Sequence, residues 1–204
     1  MVIAVCSDIH GNIKNLEVFL NRLKRESVSS LLCCGDVVDF GGTFEDKACL
    51  ETLSRLNSKI SQGNHDANAS NLRQYMLASK SQAQFDAMLR TIPNSIVQGE
   101  IMIVHSLPSQ NKKIKNTNQA KIAFLHLQEN YPEVRICFVG HHHFPVAFSY
   151  DPPSKLCFEE RETIFQIKDN LRYIINPGSL GASQGDYLLF NQKERKIERR
   201  KLYG

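Results

Sequence analysis

The chain opens on an uninterrupted apolar run, Val2 to Cys6, which stops at the polar stretch Ser7-Asp8-Ile9-His10-Gly11-Asn12. A short run that is apolar throughout fits a central strand covered on both faces. Ile13, Leu16, Phe19, Leu20 and Leu23 then recur at helical spacing, predicting a helix over about 13–25 that lies on the sheet. Leu31 to Cys34 returns as a second strand and ends at Gly35-Asp36-Val37-Val38-Asp39, which completes a βαβ unit. The pattern then repeats. Phe44, Ala48, Leu50, Leu53 and Leu56 mark a helix over 44–57, and Lys59-Ile60-Ser61 leads into Gly63-Asn64-His65-Asp66. Residues 70–91 are helix-prone up to Pro93, and Ser95 to Gln98 with Ile101 to Val104 flank Gly99-Glu100 as a hairpin. After the polar, loop-like Ser109 to Asn118 comes a helix over 119–130 and the apolar strand Val134 to Val139.

Beyond Gly140 the periodicity turns to β. Val146 to Phe148, Thr163 to Ile167, Leu171 to Ile175, Tyr187 to Phe190 and Lys196 to Leu202 read as short strands, with turns at 168–170 and 192–194. A parallel βα half followed by a meandering β half implies an α/β fold of two packed mixed β-sheets flanked by helices. With 204 residues, 42% of them hydrophobic, and no Gly/Ser/Pro-rich linker, one domain over residues 1–204 is expected.

Composition narrows the setting. The apolar runs are strand-length, far short of the ~20 residues that span a bilayer, and residues 1–10 lack the features of a signal peptide. A cytoplasmic protein without membrane contact is the expectation. The six cysteines, mostly inside apolar runs and without a C-x-x-C pair, read as buried thiols. The net charge of +4 is mild, and its basic excess lies in 193–201, interleaved with acids. That segment reads as the solvated face of a terminal hairpin, with contact to a polyanion as the alternative.

The chemistry is concentrated where strands end. Gly140-His141-His142-His143 terminates the Val134 to Val139 run. In extended backbone side chains alternate, so His141 and His143 point into one site and His142 points elsewhere. Every expected strand of the first half likewise ends in a residue able to ligate a metal: Asp8 with His10, Asp36, Asn64 with His65, then His105. In an open α/β sheet such exits share one edge, so residues far apart in sequence would meet. A single Asp beside Gly at a strand end is commonly only a turn or a cap, so the inference rests on the whole set. Carboxylate, imidazole and amide donors without thiolate suit manganese foremost, with iron, zinc or nickel as alternatives. His65 aside, seven such ligands exceed one ion and suit two, ~3.5–4 Å apart, the device that hydrolyses phosphate esters.

In this order, Asp8-Ile9-His10, Gly35-Asp36-Val37-Val38-Asp39, Gly63-Asn64-His65-Asp66, Val104-His105 and Gly140-His141-His142-His143 resemble the five motifs of the calcineurin-like metallophosphoesterases. Asn176-Pro177-Gly178-Ser179 resembles a further signature of the small bacterial members. The resemblance implies a four-layer α/β/β/α fold and two divalent ions. Asp8, His10, Asp36 and His143 would hold one ion, and Asp36, Asn64, His105 and His141 the other, with Asp36 bridging. A hydroxide between the ions would attack phosphorus in line. His65 would protonate the leaving oxygen as general acid, its ring oriented by Asp39. The implied substrate is a small phosphorylated molecule, diester or monoester. A nucleotide or nucleic acid held by the basic C-terminal segment is the second reading, and a non-catalytic binding scaffold the third. Three positions depart from the family pattern. Phe40 stands where some members carry a phosphate-gripping Arg, Ser106 where Gly is common, and His142 where Thr is common, which leaves His142 open as a substitute ligand.

Overall fold

The computed structural model describes residues 1–39, 41–72, 80–107 and 113–203, with the side chains of 70–72, 80 and 81 excepted. In chain order the first half contains β1 (Val2–Cys6), α1 (Ile13–Leu23), β2 (Val28–Cys33), α2 (Phe44–Arg55), β3 (Lys59–Ile60), α3 (Asn64–Leu72) and α4 (Lys80–Thr91). The hairpin β4 (Ser95–Gln98) and β5 (Ile101–Val104), helix α5 (Thr117–Asn130) and β6 (Ile136–Val139) follow. Six strands complete the chain: β7 (Val146–Asp151), β8 (Leu156–Glu160), β9 (Ile164–Gln166), β10 (Arg172–Asn176), β11 (Asp186–Asn191) and β12 (Lys196–Lys201).

The strands form two mixed six-stranded sheets, ordered β3-β2-β1-β11-β12-β9 and β4-β5-β6-β10-β7-β8. Alternation along each strand builds three apolar layers. Ile3 and Val5 of β1 face Ile136 and Phe138 of β6 in the core between the sheets. Ala4 and Cys6 turn outward to Leu16, Phe19, Leu50 and Leu53 of α1 and α2. Cys137 and Val139 turn outward on the other side, to Ala123, Phe124 and Leu127 of α5. Two packed sheets with helices outside are therefore what the molecule adopts. The βα half and the β half do not form separate sheets, however: β11 pairs antiparallel with β1, and β10 lies parallel to β6. Among the described residues no helix is long and apolar enough to cross a membrane.

Helix starts follow their caps. Asn12 accepts from the backbone N of Asn15 at the head of α1, and Thr43 with Asp46 forms a reciprocal capping box on α2. Asn116 caps α5, so that helix begins at Thr117 rather than at the expected 119. Two local expectations need correction, at α3 and at β8. α3 begins at Asn64, well before 70, so Asn64 and His65 occupy the first turn of a helix; residues 73–79 of the expected 70–91 helix lie outside the described residues. Of the loop expected over Ser109 to Asn118, residues 108–112 lie outside them as well, as does Phe40. Strand β8 was not anticipated, because Leu156 and Phe158 are exposed on an edge strand and no buried alternation announces it.

Candidate metal centre

The loops leaving β1, β2 and β3 in one sheet and β5 and β6 in the other open at the same end of the sandwich. The edge expected of one open sheet is thus shared by two stacked ones. Asp8, His10 and Asp36 follow β1 and β2, Asn64 and His65 open α3, and His105, His141 and His143 follow β5 and β6. Their backbones are unusual. Asp8, His10, Asp36, His141 and His143 all have φ between 48° and 70°, the left-handed region that costs a non-glycine residue roughly 1–2 kcal/mol. Three of the eight non-glycine residues with positive φ among those described lie elsewhere. Such strain gathers at functional sites, where the surroundings hold it in place. It also corrects the reason given for the triple histidine: residues 141 and 143 do not alternate along a strand but are each turned inward by a left-handed backbone.

Glycines make the convergence possible at two points. A Cβ on Gly63 would lie 2.1 Å from Asp36 Oδ1, and one on Gly140 would lie 2.1 Å from Ser7 Oγ and 2.9 Å from His105 Nδ1. The Asp36 and His105 atoms could not move without displacing a candidate ligand.

The side chains meet in overlapping groups. Asp8, His10, Asp36 and His143 bring one ligand atom each within 4.8 Å of the others, and so do Asp36, His105 and His141. Asp36 belongs to both groups. His143 Nε2 lies 3.1 Å from Asp8 Oδ1, and His10 Nε2 is 3.9 Å from Asp36 Oδ2. His105 Nε2 is 3.1 Å from Asp36 Oδ2 and 3.1 Å from Asn64 Oδ1. His65 and Asp39 form a third group with His10. One Asp39 oxygen sits 3.1 Å from His65 Nδ1 and 3.4 Å from His10 Nδ1, and His65 Nδ1 also donates to the Asp39 carbonyl at 2.9 Å. His142 joins none of these groups; its ring lies edge-on to Phe144, centroids 5.5 Å apart.

Whether these residues suit metal ions can be judged from their lone pairs. His105 Nδ1 donates to the Cys34 carbonyl at 2.7 Å, so its Nε2 presents a lone pair to two acceptors, Asp36 Oδ2 and Asn64 Oδ1. His10 Nε2 and His143 Nε2 lie 3.3 Å apart, a pair of ring nitrogens that needs one shared proton or a cation between them. Only a proton or a cation can satisfy such pairs. With metal–ligand bonds of about 2.0–2.2 Å, neighbouring ligands on a tetrahedron or octahedron are roughly 2.8–3.6 Å apart. The closest separations here fall in that range, and the donor set fits hard or borderline divalent ions.

Titration directions agree with crowded acceptors. Burial by itself would raise the Asp8 carboxyl, yet hydrogen bonds from His10 and His143 hold it well below the usual carboxylate range. Burial likewise opposes the charged form of Asp36, and His105 outweighs it, lowering Asp36. For His105 burial favours the neutral ring, but the Asp36 carboxylate pushes its pKa up to about 8. His141 moves the other way, lowered by burial and then by the charge of His105.

A supporting layer stands behind the candidate ligands. Asp66 is fully buried; its Oδ1 accepts from the backbone N of Val37 and Val38, and its Oδ2 accepts from that of Gly63. It therefore staples the Asp36 loop to the start of α3. Asp46 Oδ1 accepts from the backbone N of Asp39. Asn176 Nδ2 donates to the Gly140 carbonyl, and Ser179 Oγ donates to that of Asp8, so the Asn-Pro-Gly-Ser stretch holds two of the ligand loops. A buried carboxylate three residues into a Gly-Asn-His-Asp motif was the available signal for Asp66. Asp66→Asn turns one of its acceptors into a donor facing the Gly63 N–H, a loss of about 1–3 kcal/mol. The expected fall in melting temperature is about 3–10 °C; a melting curve unchanged from wild type would remove Asp66 from this role.

A two-sheet sandwich with outer helices, delivering Asp, His and Asn from five strand ends into one bowl, defines a metallophosphoesterase. The chain belongs to the calcineurin-like phosphoesterase superfamily, whose domain model matches residues 1–194. It is a phosphoric ester hydrolase by that membership. It is 28% identical over 224 residues to the uncharacterized protein MJ0912 of Methanocaldococcus jannaschii, covering 97% of this chain and 85% of that one. Its fold is similar to the crystal structure of a metallophosphoesterase from Sphaerobacter thermophilus, with TM-score 0.72 and 24% identity over 98% of this chain and 88% of that one. A structure described as a novel archaeal phosphodiesterase is also similar, with TM-score 0.56 and 17% identity over 98% and 99% of the two chains.

Proposed function

We propose that this protein hydrolyses esters of small phosphorylated molecules using two divalent ions, manganese foremost. Asp8, His10, Asp36 and His143 would hold one ion; Asp36, Asn64, His105 and His141 would hold the other. The observation that carries the reading is the position of Asp36, whose carboxylate reaches both ligand groups from a buried, left-handed residue. Ions bound there would acidify a water and neutralise phosphoryl oxygens. The chain's own residues do the rest. His105 Nδ1, tied to Cys34, fixes the tautomer that leaves Nε2 for ligation. Asp39 accepts from the Nδ1 of His65, which orients that ring to give its other proton to the leaving oxygen as the ester bond breaks.

Two further observations support a small substrate and a reducing compartment. Much of the C-terminal basic run is met by acids: Arg200 with Glu198, Lys196 with Glu194, and Arg195 with Glu100 and Asp169. That disfavours it as a polyanion track. All six cysteines are unpaired thiols, five of them buried, as suits a cytoplasmic protein.

The test is a substrate panel with manganese: aryl phosphate mono- and diesters, cyclic nucleotides and dinucleoside polyphosphates. Hydrolysis of at least one, abolished by a chelator and restored by manganese, is expected. Protein that carries its metal and cleaves none of them would defeat the proposal.

A further inference from the structure

The bowl has two ends. His65 and Asp39 lie beyond His10 at one end, and His141 lies beyond His105 at the other. At the His141 end, Lys113 lines a small cleft together with His105, Ser106, Gly140, His141 and Asn176. The next residue, Ile114, is buried among Leu107, Val139 and Phe124 and anchors the segment. The backbone N of Lys115 is held by Gln119 Oε1, just ahead of the α5 cap. Lys113 is half-buried and, among the described residues, makes no ion pair with a carboxylate.

An unneutralised ammonium beside a site for divalent cations is repelled unless an anion comes between them. The geometry points to Lys113 as the residue that grips the substrate's anionic group on the retained side of the scissile bond, opposite His65. In the simplest case that group is the third oxygen of a phosphate monoester dianion. The assignment rests on the phosphoesterase reading above and deepens it: Lys113 would favour substrates whose retained side is charged over those whose retained side is a neutral ester.

The test compares full-length, manganese-loaded wild type with Lys113→Ala and Lys113→Arg, with Lys121→Ala on the outer surface of α5 as the control. The substrates are p-nitrophenyl phosphate and bis(p-nitrophenyl) phosphate, which share a leaving group and differ on the retained side. Losing one charge-assisted contact should raise KM for the monoester about tenfold in Lys113→Ala, and the inhibition constant of inorganic phosphate similarly. The diester KM should rise less than about threefold, and Lys113→Arg should recover most of the monoester loss. Equal KM changes for the two esters, no change in either, or a loss confined to kcat would overturn the assignment. If wild type cleaves neither ester, the phosphoesterase reading falls separately. Calorimetric titration with inorganic phosphate then decides Lys113: weaker binding to Lys113→Ala than to wild type upholds it, and equal or absent binding to both overturns it.

Discussion

Asp36→Ala should remove metal and activity together. Metal content should fall from about two ions per chain to below one, and turnover by more than about a thousandfold. Among the described residues, Asp36 Oδ2 is the only carboxylate oxygen within 4 Å of both His10 Nε2 and His105 Nε2, so its loss opens both ligand groups at once. Asp8→Ala, by contrast, removes a member of one group only and should leave one ion bound. Elemental analysis of the two variants distinguishes a shared carboxylate from two independent sites. An Asp36→Ala protein retaining two ions would sink the shared-ligand assignment. The same site predicts a pH dependence. His105 is pushed up to about 8 by Asp36, against the effect of burial, so in the metal-free chain it carries a proton at pH 7. A protonated imidazole does not ligate, so metal affinity should weaken as pH falls through about 8, and loading at pH 7 should release protons that loading at pH 9 does not. Calorimetry in buffers of different ionisation enthalpy measures that release.

The candidate ligands were legible in the sequence because they occupy strand exits, and strand exits follow from uninterrupted apolar runs such as Val2 to Cys6 and Val134 to Val139. What the runs could not reveal was which sheet each strand joins. β10 and β11 are apolar on both faces, like β1 and β6, and nothing local tells Ile174 to seek Cys137 or Leu189 to seek Ala4. The left-handed residues were equally hidden, since Asp and His tolerate that region without requiring it. So were the roles of Asp66, Asn176 and Ser179, which are hydrogen bonds to the backbone of distant loops. β8 escaped because an edge strand with Leu156 and Phe158 exposed carries no period-two burial to read. Packing periodicity reports what is buried locally, whereas the supports of this bowl are long-range polar contacts.

Substitution of Asp39 would be a poor probe of proton transfer, because its carboxylate touches both a candidate ligand, His10, and the candidate acid, His65. His65→Ala separates the two. The backbone N of His65 donates to Asp36 Oδ1 at 2.9 Å, a bond that alanine keeps, so both ligand groups should survive and metal content should stay at the wild-type level. What is lost is the ring whose Nδ1 is anchored by Asp39. Removal of a general acid should lower kcat by about 10²–10⁴-fold. The loss should also depend on the leaving group. A p-nitrophenolate departs without protonation, so its ester should suffer least, while esters of poorly acidic alcohols, which need the proton as the bond breaks, should suffer most. A uniform loss across leaving groups, or metal content falling in step with turnover, would make His65 a structural residue of α3 and leave the proton donor to be found elsewhere in the bowl.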